Sequence, residues 1–180
     1  MAVRLFTALD VPPDLVRQVR ALPIKGLEHA RWSHPSDLHI TLRFMGEVEE
    51  DQIPSVIDAL GSIHIKPFTV VAKGLDLFDK KKRAVLYVPI ESHTKITHLT
   101  SEITERLTRL GFAFPESFYT PHITLARAKD AQGMARYASI HSKKIRAEWT
   151  ASRFILYRSA EPDSGGQRYT ALSSFDLKRF

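Results

Sequence analysis

The tetrapeptide His-Ile-Thr-Leu occurs twice in this chain, at residues 39–42 within D-L-H-I-T-L-R-F and at residues 122–125 within Y-T-P-H-I-T-L-A-R. The copies lie nearly half a chain apart, and both sit among strand formers. In a strand, side chains alternate between faces, so residues i and i+2 point the same way, about 6–7 Å apart. The first copy therefore puts Leu38, Ile40, Leu42 and Phe44 on one apolar face and His39, Thr41 and Arg43 on the other. The second puts Ile123 and Leu125 inward, with His122 and Thr124 outward. Arg127 is out of step with His122 by strict alternation. It reaches the same surface only through a bulge or through its own length. The apolar faces require helices over them, and the polar faces then border a groove.

The rest of the chain supplies that cover. Residues 3–9 read as a strand, and Asp10 with Pro12-Pro13 opens a helix carrying Leu15, Val16, Val19 and Leu22 at helical spacing. A strand over 38–44 is followed by an acidic turn at 47–51. Ile53, Val56, Ile57 and Leu60 then form an amphipathic helix closed by Gly61. Residues 68–77 and 84–90 read as a strand pair joined by 79–83. Ile96, Leu99, Ile103, Leu107 and Leu110 mark the clearest helix, with Gly111 as its stop. After the strand over 122–128 come a weaker helix near 134–140 and strands near 149–158 and 169–177. Residues 159–167, with Pro162, Gly165 and Gly166, read as a loop. Each half thus carries one motif strand with helices and strands around it, which points to a degenerate internal repeat of two lobes, roughly 1–90 and 91–180, in one domain spanning 1–180.

An imidazole with an ordinary pKa near 6.5 gives or takes a proton at neutral pH. Two imidazoles across a groove can do both in one reaction, as acid and as base. A threonine hydroxyl beside each supplies a neutral donor for a phosphoryl oxygen. Two His and two Thr thus form a two-fold clamp for a tetrahedral phosphate, and Arg43 and Arg127 can neutralise its charge. No metal ion or cofactor is required by this set. A single His-x-Thr on a strand is common as a structural histidine, but ancestry alone preserves the apolar Ile and Leu more readily than the polar His and Thr.

Composition narrows the partners. The 180 residues contain no cysteine, which excludes disulfides, thiolate metal sites and a cysteine nucleophile and fits a reducing cytoplasm. No apolar run approaches the roughly 20 residues that cross a bilayer, and the start M-A-V-R-L-F-T-A-L-D lacks a signal-peptide pattern. The expectation is a cytoplasmic monomer without membrane contact. A formal charge of +6 and a pI of about 9.6 favour a polyanionic partner, nucleic acid above all.

With R-L-F-T-A-L-D, D-L-H-I-T-L-R-F-M-G-E-V and T-P-H-I-T-L-A-R in view, the chain resembles the 2H phosphoesterase superfamily. More narrowly, it is similar to the RNA 2′,3′-cyclic phosphodiesterases, also called 2′-5′ RNA ligases. The resemblance implies a bilobal α+β fold with pseudo-two-fold symmetry, two antiparallel sheets around a central cleft and helices on the outside. It implies metal-independent opening of 2′,3′-cyclic phosphates at RNA ends to 2′-phosphates, with 2′-5′ ligation as the reverse of a similar step. His39 then corresponds to the proton donor, His122 to the proton acceptor, and Thr41, Thr124 and Arg127 to phosphate-binding residues.

Other residues add less. His29, His34, His64, His93, His98 and His141 show no metal-ligand spacing and suit surface or capping roles, with His34 close in sequence to the first motif. Lys80–Arg83, and Lys143, Lys144 and Arg146, read as solvated charge. Among Phe44, Tyr119, Tyr157 and Tyr169, Phe44 is read as core and Tyr119 as the residue best placed to stack on a base. Two alternatives stay open: a non-catalytic binder of RNA phosphate termini, and the same chemistry on ADP-ribose cyclic phosphate or other small cyclic nucleotides.

Overall fold

The structure, a computed structural model, describes residues 1–80, 83–91, 93–115, 119–160 and 168–178. Its strands are β1 (Ala2–Asp10), β2 (Arg31–Trp32), β3 (His39–Glu49), β4 (Phe68–Lys73), β5 (Asp76–Lys80), β6 (Arg83–Pro89), β7 (His122–Ala128), β8 (Arg146–Ala151), β9 (Arg153–Ser159) and β10 (Tyr169–Asp176). The helices are α1 (Pro13–Arg20), α2 (Ile53–Gly61), α3 (His93–Arg109) and α4 (Ala131–His141). Most of the predicted loop after β9, residues 161–167, lies outside the described residues. The same is true of part of the basic hairpin turn, residues 81–82.

Eight strands form one antiparallel sheet in the order β10-β9-β1-β3-β7-β6-β5, with β2 also paired to β7, while β4 and β8 form a second, two-stranded sheet. The motif strands β3 and β7 are therefore central neighbours. The flanks of the sheet come from interleaved segments rather than from residues 1–90 and 91–180. β1, β9 and β10, from the two ends of the chain, lie beyond β3, and β6 and β5 lie beyond β7.

Helical periodicity translates directly into burial. In α3, Ile96, Leu99, Ile103 and Leu107 are fully buried at spacings of three and four residues. The helix ends in a Schellman arrangement around Gly111 at φ +93°, where the Gly111 N–H donates to Thr108 O and the Phe112 N–H to Leu107 O. Leu110 falls past the helix and is 39% exposed, so it leaves the predicted apolar stripe. Ile40, Leu42, Ile123 and Leu125 join the same core from the sheet.

Two predicted strands turn out to be broken. The run 68–77 divides at Gly74, whose φ of +79° turns the chain from β4 in the small sheet to β5 in the large one. The run 149–158 divides at Ser152, with β8 paired to β4 and β9 to β1. Hydrophobic alternation continues through both breaks, so period alone could not reveal a change of sheet.

A two-fold cluster of histidine and threonine

β3 and β7 are registered at one pair, Ile40 opposite Ile123. In an antiparallel ladder centred there, His39 flanks Ile40 on the side of Thr124, and Thr41 on the side of His122. A local two-fold axis thus runs between the isoleucines, with the four polar side chains on the face opposite the buried Ile40 and Ile123. Diagonal neighbours in such a pair lie about 7–8 Å apart. That spacing leaves room for one tetrahedral group between the two rings.

The fourth residue of each motif has its own structural role. β3 slips register against β1 between Thr7–Arg43 and Ala8–Thr41, making Leu42 an extra residue. β7 slips against β6 between Leu86–Ala126 and Tyr87–Thr124, making Leu125 the extra residue. Both motif leucines are β-bulges, and a bulge reverses the alternation beyond it. This reversal brings Arg127 onto the cleft wall despite its odd spacing from His122. It also overturns the reading of Phe44 as core: this ring is 62% exposed and lines the cleft.

The cleft encloses about 650 Å³ and is lined by His39, Thr41, Arg43, Tyr119, His122, Thr124 and Arg127 among others, so all seven residues singled out from the sequence border one space. Its wall also includes Arg31, Trp32, His34, Asp37, Arg168 and Tyr169.

Each imidazole is oriented in the same way. His39 Nδ1 lies 2.7 Å from the Asp37 carbonyl, and His122 Nδ1 lies 2.8 Å from that of Thr120. A carbonyl only accepts, so Nδ1 carries the proton and Nε2 becomes the nitrogen available for chemistry. His39 Nε2 is 2.9 Å from Thr41 Oγ1. Aromatic rings hold both imidazoles. Phe6 and Tyr169 lie 5.1 and 5.2 Å from His39, the second edge-on, and Phe78 and Tyr87 lie 5.0 and 5.4 Å from His122. Burial pushes the pKa of His39 below the ordinary imidazole value. The nearby His122 and Arg127 add to this shift, while the carbonyl and carboxylate of Asp37 oppose it.

Two of the seven residues serve as braces. The Tyr119 hydroxyl donates to the Thr41 carbonyl at 2.5 Å, and burial pushes its pKa up, so the phenol stays a donor. That tie differs from the stacking role expected of Tyr119. Arg43 Nε donates to Thr104 Oγ1 of α3 at 2.9 Å, and its guanidinium lies 5.1 Å over the Phe114 ring. Arg43 therefore links the bulged stretch of β3 to the helix behind it.

No motif marks the aromatic supports. Phe6 and Tyr87 read as ordinary strand residues, and only the pairing of β1 with β3 and of β6 with β7 brings them to the histidines. Arg31 was missed because a two-residue strand carries no periodic signal. No group of three or more His, Asp or Glu suited to a metal ion occurs among the described residues, and no described helix is long and apolar enough to cross a membrane.

Fold and site together define a two-histidine phosphoesterase architecture: paired His-x-Thr strands at the centre of an antiparallel sheet, with an open cleft over their polar face. The chain belongs to the 2′-5′ RNA ligase superfamily, whose profile matches residues 11–163. It is 35% identical over 132 residues to an RNA 2′,3′-cyclic phosphodiesterase of Aquifex aeolicus, covering 71% of this chain and 69% of the relative. It is 31% identical over 133 residues to the protein of that name from Thermotoga maritima, covering 71% of each. The fold matches that of E. coli LigT complexed with 3′-AMP with a TM-score of 0.80 at 23% identity, over 99% of this chain and 100% of that one.

Proposed function

We propose that the chain hydrolyses 2′,3′-cyclic phosphodiester ends of RNA to 2′-phosphomonoesters through His39 and His122. In this reading His122 Nε2 takes a proton from water as the water oxygen bonds to phosphorus. The P–O3′ bond breaks, and His39 Nε2 delivers a proton to the departing 3′ oxygen. Thr41 and Thr124 hold the non-bridging oxygens, and Arg127 neutralises charge that builds on them. With a 5′-hydroxyl in place of water the same step yields a 2′-5′ linkage, the histidines keeping their roles, and its reverse cleaves that linkage with the proton roles exchanged.

The observation that carries the proposal is the two-fold arrangement of His39, Thr41, His122 and Thr124 about the Ile40–Ile123 pair, with both Nδ1 atoms tied to carbonyls. A simple phosphate binder is served better by fixed charges, whereas two imidazoles tied to carbonyls through Nδ1 suit proton transfer through Nε2. The four side chains account for both proton transfers and for oxygen binding, so the proposed reaction proceeds without a metal ion. The test is to incubate the protein with a short RNA ending in a 2′,3′-cyclic phosphate, in excess chelator, and identify the product end. A 2′-phosphate supports the proposal. An unchanged end, a 3′-phosphate, or turnover that chelator abolishes refutes it.

A further inference from the structure

Among the described residues, four arginines gather around the β7 end of the cleft without an acidic partner, and three of them, Arg31, Arg127 and Arg168, line it. Arg31 of β2 is registered directly opposite Arg127 of β7. Arg127 is opposite Val85 on the other side, two residues from Arg83 at the start of β6. Arg168 lines the cleft with Arg31 and Arg127, its guanidinium 5.9 Å from the Tyr169 ring. Among the described residues none of the four makes an ion pair, whereas Arg17, Arg106, Arg109 and Arg153 pair with Asp14, Glu102, Glu105 and Asp10.

Like charges directly opposite one another in a sheet are unfavourable. The cluster shows this strain: Arg127 has its pKa lowered first by partial burial and then by the charges of Arg168, Arg83 and Arg31, with Tyr169 acting in the other direction. A second observation points to a missing anion. Arg168 Nε is buried and has no hydrogen-bond acceptor. A buried donor of this kind is rare in a folded protein unless a ligand completes it.

We propose that Arg31, Arg83 and Arg168, grouped around the Arg127 that serves the cyclic phosphate, form a second anion subsite that takes the 5′-phosphate of the nucleotide whose cyclic phosphate sits between His39 and His122. The inference rests on the function proposed above and favours ends that carry a phosphate on the 5′ side, as every RNA end does, over nucleoside 2′,3′-cyclic phosphates that lack one. Arg127 stands at the cyclic-phosphate site and Arg31 is directly opposite it in the sheet, so the group adjoins that site, as the 5′-phosphate of the same nucleotide must. Guanidinium groups grip phosphate oxygens in pairs, which favours this anion over an uncharged ligand.

The test compares kcat/KM for three substrates: a nucleoside 2′,3′-cyclic phosphate, the same compound with a 5′-monophosphate, and a dinucleotide with a 2′,3′-cyclic end. Wild-type protein, Arg31→Gln, Arg83→Gln and the double variant are assayed at low salt. Wild type is expected to favour the 5′-phosphorylated substrates at least tenfold, and the double variant to bring that ratio close to one. Preference for both 5′-substituted substrates identifies a phosphate in any linkage, and preference for the dinucleotide alone identifies a diester. In parallel, a nucleoside 2′-monophosphate and a nucleoside 2′,5′-bisphosphate are titrated over a range of salt. The bisphosphate should show a steeper dependence of log K on log salt, by roughly 0.7 for the added phosphate contact, and the double variant should lose the difference. A wild-type ratio near one, or a preference that survives in the double variant, overturns the subsite. Loss of turnover with every cyclic substrate refutes the proposed function instead, and the salt titration still decides the subsite.

Discussion

Substitution of the two histidines, singly and together, separates one concerted site from two independent contributors. A positioned acid or base typically supplies 10²–10⁴-fold in rate. At 1.36 kcal/mol per factor of ten, His39→Ala or His122→Ala each raises the barrier by about 2.7–5.5 kcal/mol. Folding must be held apart from chemistry, because the His39 ring is half-buried against Phe6 and Tyr169. Its removal leaves a void worth about 1–2 kcal/mol, a part of the 2–5 kcal/mol seen for fully buried side chains. That loss lowers Tm by roughly 2–8 °C. His39→Gln is the companion variant, since its amide fills more of the space and bonds Thr41 but transfers no proton. The assay is hydrolysis of a nucleoside 2′,3′-cyclic phosphate in chelator, well below each variant's Tm. Groups acting in one step are not additive, so the double variant should be little slower than the slower single one. A folded single variant keeping more than a tenth of wild-type activity, or losses that multiply across the cycle, would refute the two-histidine step.

Other outcomes follow from particular contacts. Because burial lowers the pKa of His39, the native chain takes up this proton less readily than the unfolded chain, whose histidine titrates near 6.5. Stability should therefore fall as pH drops below about 6.5, with a shallower fall in His39→Gln; denaturation midpoints over a pH series measure the difference, and parallel curves would exclude it. Binding of a nucleoside 2′-monophosphate should move the NMR titration of His39 upward, since an adjacent anion favours imidazolium; a downward shift would place the anion elsewhere. Tyr119→Phe removes the bond to the Thr41 carbonyl and should cost about 0.5–1.5 kcal/mol of stability with less than a tenfold loss in kcat. A hundredfold kcat loss at unchanged Tm would show that the phenol touches substrate. Gly74→Ala forces a side chain into φ +79° with its Cβ 2.8 Å from Ser142 Oγ, and should lower stability by about 1–3 kcal/mol; adding Ser142→Ala should recover only part of that, as thermal melts would show.

Much of the site could be read from the chain because it is written in strands, where a period of two assigns faces without any knowledge of the fold. His39, Thr41, His122 and Thr124 were legible for that reason, and so was the core stripe of α3. What period could not convey was interruption. The change of sheet at Gly74 keeps apolar residues on both sides of the break, so the alternation looks continuous. The bulges at Leu42 and Leu125 are equally silent, since a buried leucine satisfies either register. Their effect surfaces only downstream, at Phe44 and Arg127, where strict alternation puts each on the wrong face. The cationic cluster is silent for a third reason: Arg31, Arg83 and Arg127 are far apart in sequence and meet through the pairing of β2, β6 and β7, and Arg168, just before β10, joins them across the cleft.

The bulges also explain how a nearly symmetric cluster distinguishes its two sides. His39 matches His122, Thr41 matches Thr124, and each bulged leucine matches the other. Two positions beyond the bulge the symmetry ends: one arm presents the Phe44 ring, 5.3 Å from Phe6, and the other presents the Arg127 guanidinium among further arginines. A quartet of His and Thr alone would bind a phosphate in either of two orientations related by the axis, and each histidine would serve equally as acid or base. An apolar arm on one side and a cationic arm on the other give the two orientations different energies. In the proposed reaction a substrate bearing a charged chain is thereby held one way round, and the two imidazoles take different proton roles. Exchange of the arms, through Phe44→Arg combined with Arg127→Phe, should weaken that orientation and slow turnover more than it weakens binding of inorganic phosphate, which has no direction to lose.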